Sequence, residues 1–205
     1  MKNLTFVFCS VILIISSCAK IYNSPEAEAR AKTHKIIAIA PPKVSIAASK
    51  KVDAEAIKEQ QKTESVNFQK EMYSWMVKRK MQNRISVEVM DVETTNAKLK
   101  KAGYFDDNAM TPSEMCDALG VDGLMTSSYS LSKPMSEGAA VAVGILVGVW
   151  GSTNNTTVSL EIHDRETKKL IWNYNHKASG SVGSSPAQLV DNLMRNASKK
   201  MPYSR

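Results

Sequence analysis

The pattern that most restricts the fold of this chain lies in residues 156–178. Between Thr156 and Asp164, apolar and polar residues alternate, as they do in a strand with one buried face. A short polar turn follows, and the alternation resumes over 169–178. The apolar members of the two stretches are Val158, Leu160, Ile162, Leu170, Trp172 and Tyr174. Two alternating strands joined by a polar turn predict an antiparallel β-hairpin, so the chain must fold around a sheet.

Strand and helix patterns alternate along the rest of the chain. Short apolar or alternating runs predict further strands at 36–40, 85–90 and 121–131. Helical patterns cover 53–81, 92–102, 111–119 and a last segment that begins near Pro186. Thr111 and Glu114 form a capping box with Pro112 at the first helical position. This order predicts a mixed α/β (α+β) fold, with one sheet of about four to five strands and flanking helices.

The first seventeen residues have the composition of an export signal. Lys2 gives a positive start, and residues 4–15 are an apolar run too short to span a bilayer as a mature helix. Two serines then precede Cys18, and this segment resembles the bacterial lipobox. The resemblance implies cleavage before Cys18 and acylation of its thiol with chains such as palmitate. The alternative is an ordinary signal peptide that happens to contain a cysteine.

The predicted anchor sets the expected location and domain boundaries. Two or three acyl chains bind a membrane firmly, whereas one chain binds it reversibly. Ala19 and Lys20 follow Cys18, without an aspartate at the second position. By resemblance to lipoprotein sorting rules, this favours the outer membrane, with the protein facing the periplasm. We predict a signal peptide over 1–17, a lipidated tether over 18–34 and one α/β domain over 35–205.

Charge and cysteine content limit the classes of partner. The formal net charge is +7, and it falls to about +6 after cleavage because Lys2 is the only charge in the removed segment. The basic residues occur in short dispersed runs, which we interpret mainly as solvated surface, and export argues against nucleic acid as a partner. Cys116 is the only cysteine left after cleavage and acylation, so no intramolecular disulfide is expected. Its apolar helical neighbours predict a buried thiol.

No residue pattern indicates catalysis, a cofactor, a metal or a small-molecule substrate. His34, His163 and His176 lack the spacing of metal ligands, and His163 is expected to be an exposed strand residue. Phosphate-binding glycine loops, nucleophile elbows and CxxC pairs do not occur in the sequence. Asp122 before Gly123 is expected to serve a turn. We therefore expect a protein that is not an enzyme.

Residues 138–151 form an apolar insertion without a charged residue between the third predicted strand and the hairpin. Ala140, Gly144 and Gly148 recur at every fourth position, which would leave a smooth surface for a second helix. Trp150 suits a membrane interface. The segment is short for a spanning helix and lacks the alternation of a membrane strand. Three interpretations stay open: packing on the domain itself, contact between subunits, and membrane insertion.

Three of the predicted strand regions resemble motifs of a family of exported lipoproteins. They are the strand over 35–42 (KIIAIAPP), the strand entry over 119–125 (LGVDGLM), and the hairpin from Val158 through the TKKLIW run that ends at Trp172. The family includes CsgG, the LpoB-type activators of penicillin-binding proteins, and small outer-membrane lipoproteins without an assigned role. The resemblance covers roughly 35–200 and implies a fold similar to the N-terminal domain of TolB. Lys168 stands where the family has glycine.

The resemblance, the anchor and the insertion together indicate a function in the cell envelope. We expect a non-enzymatic assembly or accessory subunit of an envelope complex, acting as a homo-oligomer or bound to another envelope protein. One alternative is an activator of a cell-wall synthase. A second is a secretion-channel subunit, because in CsgG-like proteins the segment at the position of 138–151 inserts to build a membrane barrel.

Overall fold

The computed structural model describes residues 19–47, 53–106, 109–132, 155–179 and 186–205. Within these ranges the strands are β1 (Ala19–Asn23), β2 (Ile36–Ile39), β3 (Lys43–Ala47), β4 (Glu88–Val89), β5 (Gly123–Ser132), β6 (Asn155–Asp164) and β7 (Leu170–Ser179). The helices are α1 (Ala27–Thr33), α2 (Ala54–Met81), α3 (Val92–Lys101), α4 (Pro112–Leu119) and α5 (Pro186–Ala197), and a 3₁₀ turn, Ser198–Lys200, follows α5.

All seven described strands belong to one mixed sheet in the order β1-β7-β6-β5-β2-β4, with β3 beside the second half of β5. The predicted hairpin is confirmed as β6 and β7, and β5 pairs with β6 along its whole length. The pairs β1–β7, β7–β6 and β6–β5 are antiparallel, whereas β2 and β3 pair with β5 in parallel and β4 pairs with β2 in parallel. The predicted mixed α/β fold with flanking helices is thus confirmed.

The sheet has two strands more than predicted: β1, which has no buried face, and β3, a run of only five residues in which Val44 and Ile46 are half-buried. Every residue of β1 is exposed, so backbone pairing with β7 holds it rather than burial. β3 continues the path of β2 after a break at Pro41 and Pro42, which have no N–H to donate to the ladder. Residues 19–33, which the sequence analysis assigns to a tether, therefore form β1 and α1 beside the rest of the sheet.

The helix termini follow the capping residues that the sequence contains. Asp53 accepts a hydrogen bond from the N–H of Glu55 at the start of α2. At α4 the capping box is complete: Thr111 N–H donates to Glu114 Oε2 (2.7 Å), and Glu114 N–H donates to Thr111 Oγ1 (3.3 Å). Gly120, at φ 71°, ends this helix in the left-handed conformation that suits glycine.

The two faces of the sheet are covered differently. The longest helix, α2, packs with α5 on the face that carries Val158, Leu160 and Ile162, and the ring of Phe68 stacks on Tyr129 at 4.0 Å between centroids. On the opposite face, α3 and α4 cover only the region around Leu124. The rest of that face, as far as the structure describes it, carries mainly serine, threonine and asparagine side chains from β5, β6 and β7, together with Glu161, His163 and Lys177.

The strand directions give the sheet two ends, which are used as reference points below. We call the end at which the chain enters β1 the entry end; β5 finishes and β6 begins there. At the opposite, far end β5 begins at Gly123, β6 finishes at Asp164, and the C-terminal segment returns to pair at Ile85. Ten-residue strands such as β5 and β6 separate the two ends by about 33 Å.

Candidate functional site: the entry end and the polar clusters

The residues that the sequence predicts to carry function, namely Cys18, Ala140, Gly144, Gly148 and Trp150, lie outside the described residues. Their lipidation and their membrane or subunit contacts stay predictions. The structure does describe the strands next to them. Those strands show where the N-terminal segment that ends at Cys18 and the segment 133–154 join the sheet.

Both segments join the sheet at the entry end. Ala19, the residue after Cys18, pairs with His176 on β7, which in turn pairs with Val158 on β6. The insertion leaves β5 after Ser132 and returns at Asn155, and these two residues are paired neighbours. Val158 is three residues from Asn155, so Ala19 lies about 10 Å along the strands and about 10 Å across them from the Ser132–Asn155 pair.

A buried cluster at the far end joins three parts of the chain that are distant in sequence. His34 Nε2 lies 2.7 Å from Asp164 Oδ1, and His34 Nδ1 lies 2.7 Å from the Tyr203 hydroxyl. Asp164 is 1 % exposed and Tyr203 is 0 % exposed. A neutral imidazole satisfies both contacts if its Nε2–H donates to the carboxylate and the tyrosine hydroxyl donates to Nδ1. The sequence gives no sign of this cluster, because 130 and 169 residues separate the partners.

Asp164 is the centre of this cluster. Its Oδ2 accepts hydrogen bonds from the N–H of Thr167 (2.6 Å) and from the Thr167 hydroxyl (2.5 Å), and Arg30 lies 3.3 Å away. Burial alone would raise the pKa of this carboxyl group, but hydrogen bonds from His34, Thr167 and Arg30 outweigh it and lower the pKa to about 2. Asp164 therefore stays charged while it holds the hairpin turn against α1.

Asp122 and Gly123, next to this cluster, belong to the strand-entry motif over 119–125. Their contacts explain why the motif has an aspartate followed by a glycine. Asp122 Oδ2 accepts from the N–H groups of Lys35 (2.7 Å) and Ile36 (3.0 Å), so it caps the start of β2. The sequence predicts only that Asp122 serves a turn, and that prediction does not include this capping of β2. A Cβ atom on Gly123 would lie 2.7 Å from His34 Nδ1 and 3.1 Å from the Tyr203 hydroxyl. Glycine is required there because the buried cluster packs directly against the backbone.

The buried cluster has the residue types of a catalytic relay, and it borders a surface cleft of about 340 Å³, but the side chains of His34 and Asp164 are only 2 % and 1 % exposed. Tyr203 is completely enclosed, and burial raises the pKa of its phenol above the ordinary value. The hydrogen-bonding atoms of His34 are also occupied by protein groups. The arrangement can tie α1, the hairpin and the C-terminal segment together, and its geometry supports a structural role.

A second polar cluster lies in a cleft of about 270 Å³ between the open sheet face and the region of Tyr104 and Met110. Glu161 Oε2 lies 3.1 Å from His163 Nε2 and accepts from the Thr126 hydroxyl at 3.3 Å. The hydrogen bond from His163 is the main cause that lowers the pKa of Glu161. His163 is half-buried and paired rather than simply exposed, which corrects the expectation from strand alternation.

Other reactive groups in the described ranges are few. Cys116 is fully buried, as predicted, and burial is the main cause that raises the pKa of its thiol to about 12. No set of three or more histidine, cysteine, aspartate or glutamate side chains in the described part of the chain is arranged to hold a metal ion. None of the described helices combines the length and the apolar character that crossing a membrane requires.

No protein-family model matches the chain, and no curated protein matches it. Among solved structures, the chain is similar to the LpoB C-terminal domain from Salmonella enterica at 12 % identity, over 71 % of this chain and 82 % of that one, with a TM-score of 0.36. Lipoprotein GNA1162 from Neisseria meningitidis is also 12 % identical, over 81 % and 99 % of the two chains, with a TM-score of 0.42. A PelC dodecamer from Paraburkholderia phytofirmans is 10 % identical, over 92 % and 98 %, with a TM-score of 0.43.

These similarities include LpoB, one of the proteins that the sequence motifs resemble, and a protein described as a lipoprotein. With TM-scores below 0.5 and identities of 12 % or less, they do not assign the chain to a family or to an activity. The relation to CsgG stays a prediction from the sequence motifs.

Proposed function

We propose that this protein is a lipid-anchored subunit of a bacterial cell-envelope complex, held at the periplasmic face of the outer membrane. In this proposal Cys18 carries the acyl chains, and the domain acts by binding other proteins rather than by catalysis. Its anchored end is the entry end of the sheet.

One structural observation carries the proposal. Ala19 and the two strand ends that flank residues 133–154 all lie at the entry end. An acylated Cys18 and the uncharged insertion would therefore approach the same membrane surface. Two apolar attachments on one end of a domain favour stable and oriented binding over the reversible binding of a single chain.

The polar clusters support the non-enzymatic part of the proposal. His34, Asp164 and Tyr203 hydrogen-bond to one another in the interior. The Cys116 thiol is enclosed, and its pKa near 12 keeps it protonated at neutral pH. These are the features of groups that stabilise a fold.

Fatty-acid labelling tests the anchor directly. Cells that express the full chain are grown with an alkyne fatty acid, and membranes are separated by density. We expect label in the wild-type protein and in Cys9→Ala, which loses only a cysteine of the apolar signal run. We expect no label in Cys18→Ala, and less of that variant in the outer-membrane fraction. Equal labelling of Cys18→Ala and wild type would disprove the anchor.

The assembly part of the proposal has its own measurement. The full chain is extracted in detergent and its mass is measured by light scattering, with crosslinking in intact cells as a parallel readout. We expect an oligomer or a discrete complex. A strictly monomeric protein without an envelope partner in the crosslinked material would contradict this part of the proposal.

A secretion-channel subunit is the second candidate function. It is supported by the position of Ser132 and Asn155, the strand ends that flank the insertion, at the end of the sheet that would face the bilayer in this proposal. Ring-shaped particles in electron micrographs and ion conductance across planar bilayers would favour the channel. Discrete complexes without conductance would favour the accessory subunit.

A further inference from the structure

Basic side chains that are dispersed in the sequence come together at the far end of the sheet. Two adjoining grooves lie along the C-terminal segment there, with volumes of about 560 and 590 Å³. Glu28 is the only acidic residue among the described residues that line them. The basic lining residues are Lys32, Arg79, Arg84, Arg195, Lys199, Lys200 and Arg205. Arg79, Lys199 and Lys200, which belong to separate basic runs of the sequence, thus lie near other basic residues in the fold, and we call the surface formed by these seven side chains the basic grooves.

The two grooves adjoin at the C-terminal segment, which has a fixed backbone. Lys199, Ser204 and Arg205 line both of them. The C-terminal segment is held by backbone hydrogen bonds, from Ser86 N–H to the Tyr203 carbonyl (3.0 Å) and from Arg205 N–H to the Arg84 carbonyl (3.1 Å). Paired backbone, rather than a loose terminus, therefore positions several of the cations.

Most of this positive charge is not neutralised within the described part of the protein. Arg195 pairs with Asp191 at 2.7 Å, and the guanidinium of Arg79 lies over the Trp75 ring at 4.9 Å. Arg84 and Lys199 make no ion pair with any residue that the structure describes. Seven basic side chains and one acidic side chain among the described lining residues give this end of the sheet a locally positive surface.

We propose that the basic grooves bind an acidic segment of a partner protein. Arginine side chains present planar donor pairs that match carboxylates, and Arg79, Arg84 and Arg195 line a single groove. Trp75 and Ile85 line the same groove and provide apolar contact of the kind a peptide uses. Two adjoining grooves suit an extended chain better than a single small anion.

The choice of a protein over a lipid rests on the proposed anchored function. If the entry end faces the membrane, the basic grooves lie about 33 Å from it, on the opposite end of the strands. That distance is several times the screening length of about 8 Å at physiological salt, so headgroups of that membrane would attract the grooves only weakly. A partner in the periplasm reaches them without this restriction.

A binding assay on the full chain in detergent tests the proposal. The probes are a labelled peptide of six Asp-Glu repeats and a matched peptide of six Asn-Gln repeats. We expect the acidic peptide to bind and the amide peptide not to bind. Neutralising two unpaired cations, Arg84→Gln with Lys199→Gln, is expected to weaken binding by about tenfold.

A second double variant provides the matched control. Lys62→Gln with Lys70→Gln removes the same charge from the exposed part of α2, away from the basic grooves. We expect it to bind as the wild type does. Equal weakening by both double variants, or equal binding of both peptides, would overturn the proposal. Thermal unfolding of each variant checks that the fold is kept.

Competition separates an acidic protein segment from other anions. Inorganic phosphate, or vesicles of phosphatidylglycerol, that displace the acidic peptide at equal charge concentration would overturn the assignment to a protein partner. Failure to displace it supports the assignment. The assay is independent of acylation, so a negative result here leaves the labelling of Cys18 as a separate test of the proposed function.

Discussion

At the scale of single residues, Asp164 shows how the hairpin motif stabilises the domain. It is charged although almost fully enclosed, and hydrogen-bond donors of Arg30, His34 and Thr167 surround it. An enclosed carboxylate without such donors would take up a proton. The aspartate of the hairpin motif is therefore explained by its hydrogen bonds rather than by contact with a ligand.

The lowered pKa of Asp164 predicts a pH-dependent stability. The ordinary value is 3.8 and the folded value is about 2, so the stabilisation is present above about pH 4 and is lost as pH falls towards 2. We expect Asp164→Asn to lower the free energy of unfolding at pH 7 by about 2 kcal/mol. The variant should also lose less stability than the wild type between pH 5 and pH 2. Urea unfolding across this range measures both effects.

Glu166→Gln is the control for that experiment. Glu166 pairs with the same Arg30 but is exposed, so the substitution should change stability by less than about 0.5 kcal/mol. A pH profile of Asp164→Asn that parallels the wild type would show that Asp164 is not the group responsible.

Gly123 gives a prediction that separates packing from backbone effects. A methyl group at this position meets His34 and Tyr203, so Gly123→Ala should destabilise the protein by about 1–3 kcal/mol. In a His34→Ala background the obstruction is smaller, and the same substitution should cost less. Thermal or urea unfolding of the four proteins of this double-mutant cycle measures the coupling. Additive costs would contradict the packing explanation.

At the scale of elements, the hairpin turn contains one strained position. Lys168 has φ 58°, a conformation in which a side chain is unfavourable, and glycine is the residue that the resembled family has there. We expect Lys168→Gly to raise the free energy of unfolding by up to about 1 kcal/mol. Lys169→Gly, at a position without positive φ, should be neutral or destabilising. Urea unfolding of both variants makes the comparison.

The same elements show what the sequence can and cannot predict. The hairpin, α2 and α4 were predictable because alternation, helical periodicity and capping residues are local properties. β1 was not, since its five exposed residues have no buried face and only backbone pairing with β7 holds them. Alternation in the sequence can identify an amphipathic strand. It cannot identify an exposed strand such as β1, or the sheet edge with which that strand pairs.

The clusters of polar residues were less predictable than the fold. His34, Asp164 and Tyr203 meet only when α1, the hairpin and the C-terminal segment are brought together. The basic grooves likewise combine side chains from α2, α5 and the last residues. The predicted contacts at Ala140, Gly144, Gly148 and Trp150 stay predictions, because they lie outside the described residues.

At the scale of the whole molecule, the proposed anchoring predicts a fixed orientation on the membrane. Thr157 is exposed near the entry end, and Glu166 is exposed in the turn at the far end. Fluorophores attached to Thr157→Cys and Glu166→Cys, in full-chain protein reconstituted with brominated lipids, should be quenched at position 157 and not at 166. Cys116 is buried and should not take up the dye. Equal quenching at both positions would contradict the orientation.

The start of β1 at Ala19 also limits how far the protein can act from its membrane. In the proposed anchoring, only the peptide bond from Cys18 to Ala19 separates the lipidated residue from the sheet, so there is no flexible linker between them. In the proposed orientation the far end of the sheet lies about 33 Å from the bilayer. A soluble partner that binds there and stays farther from the membrane must supply the remaining reach from its own chain.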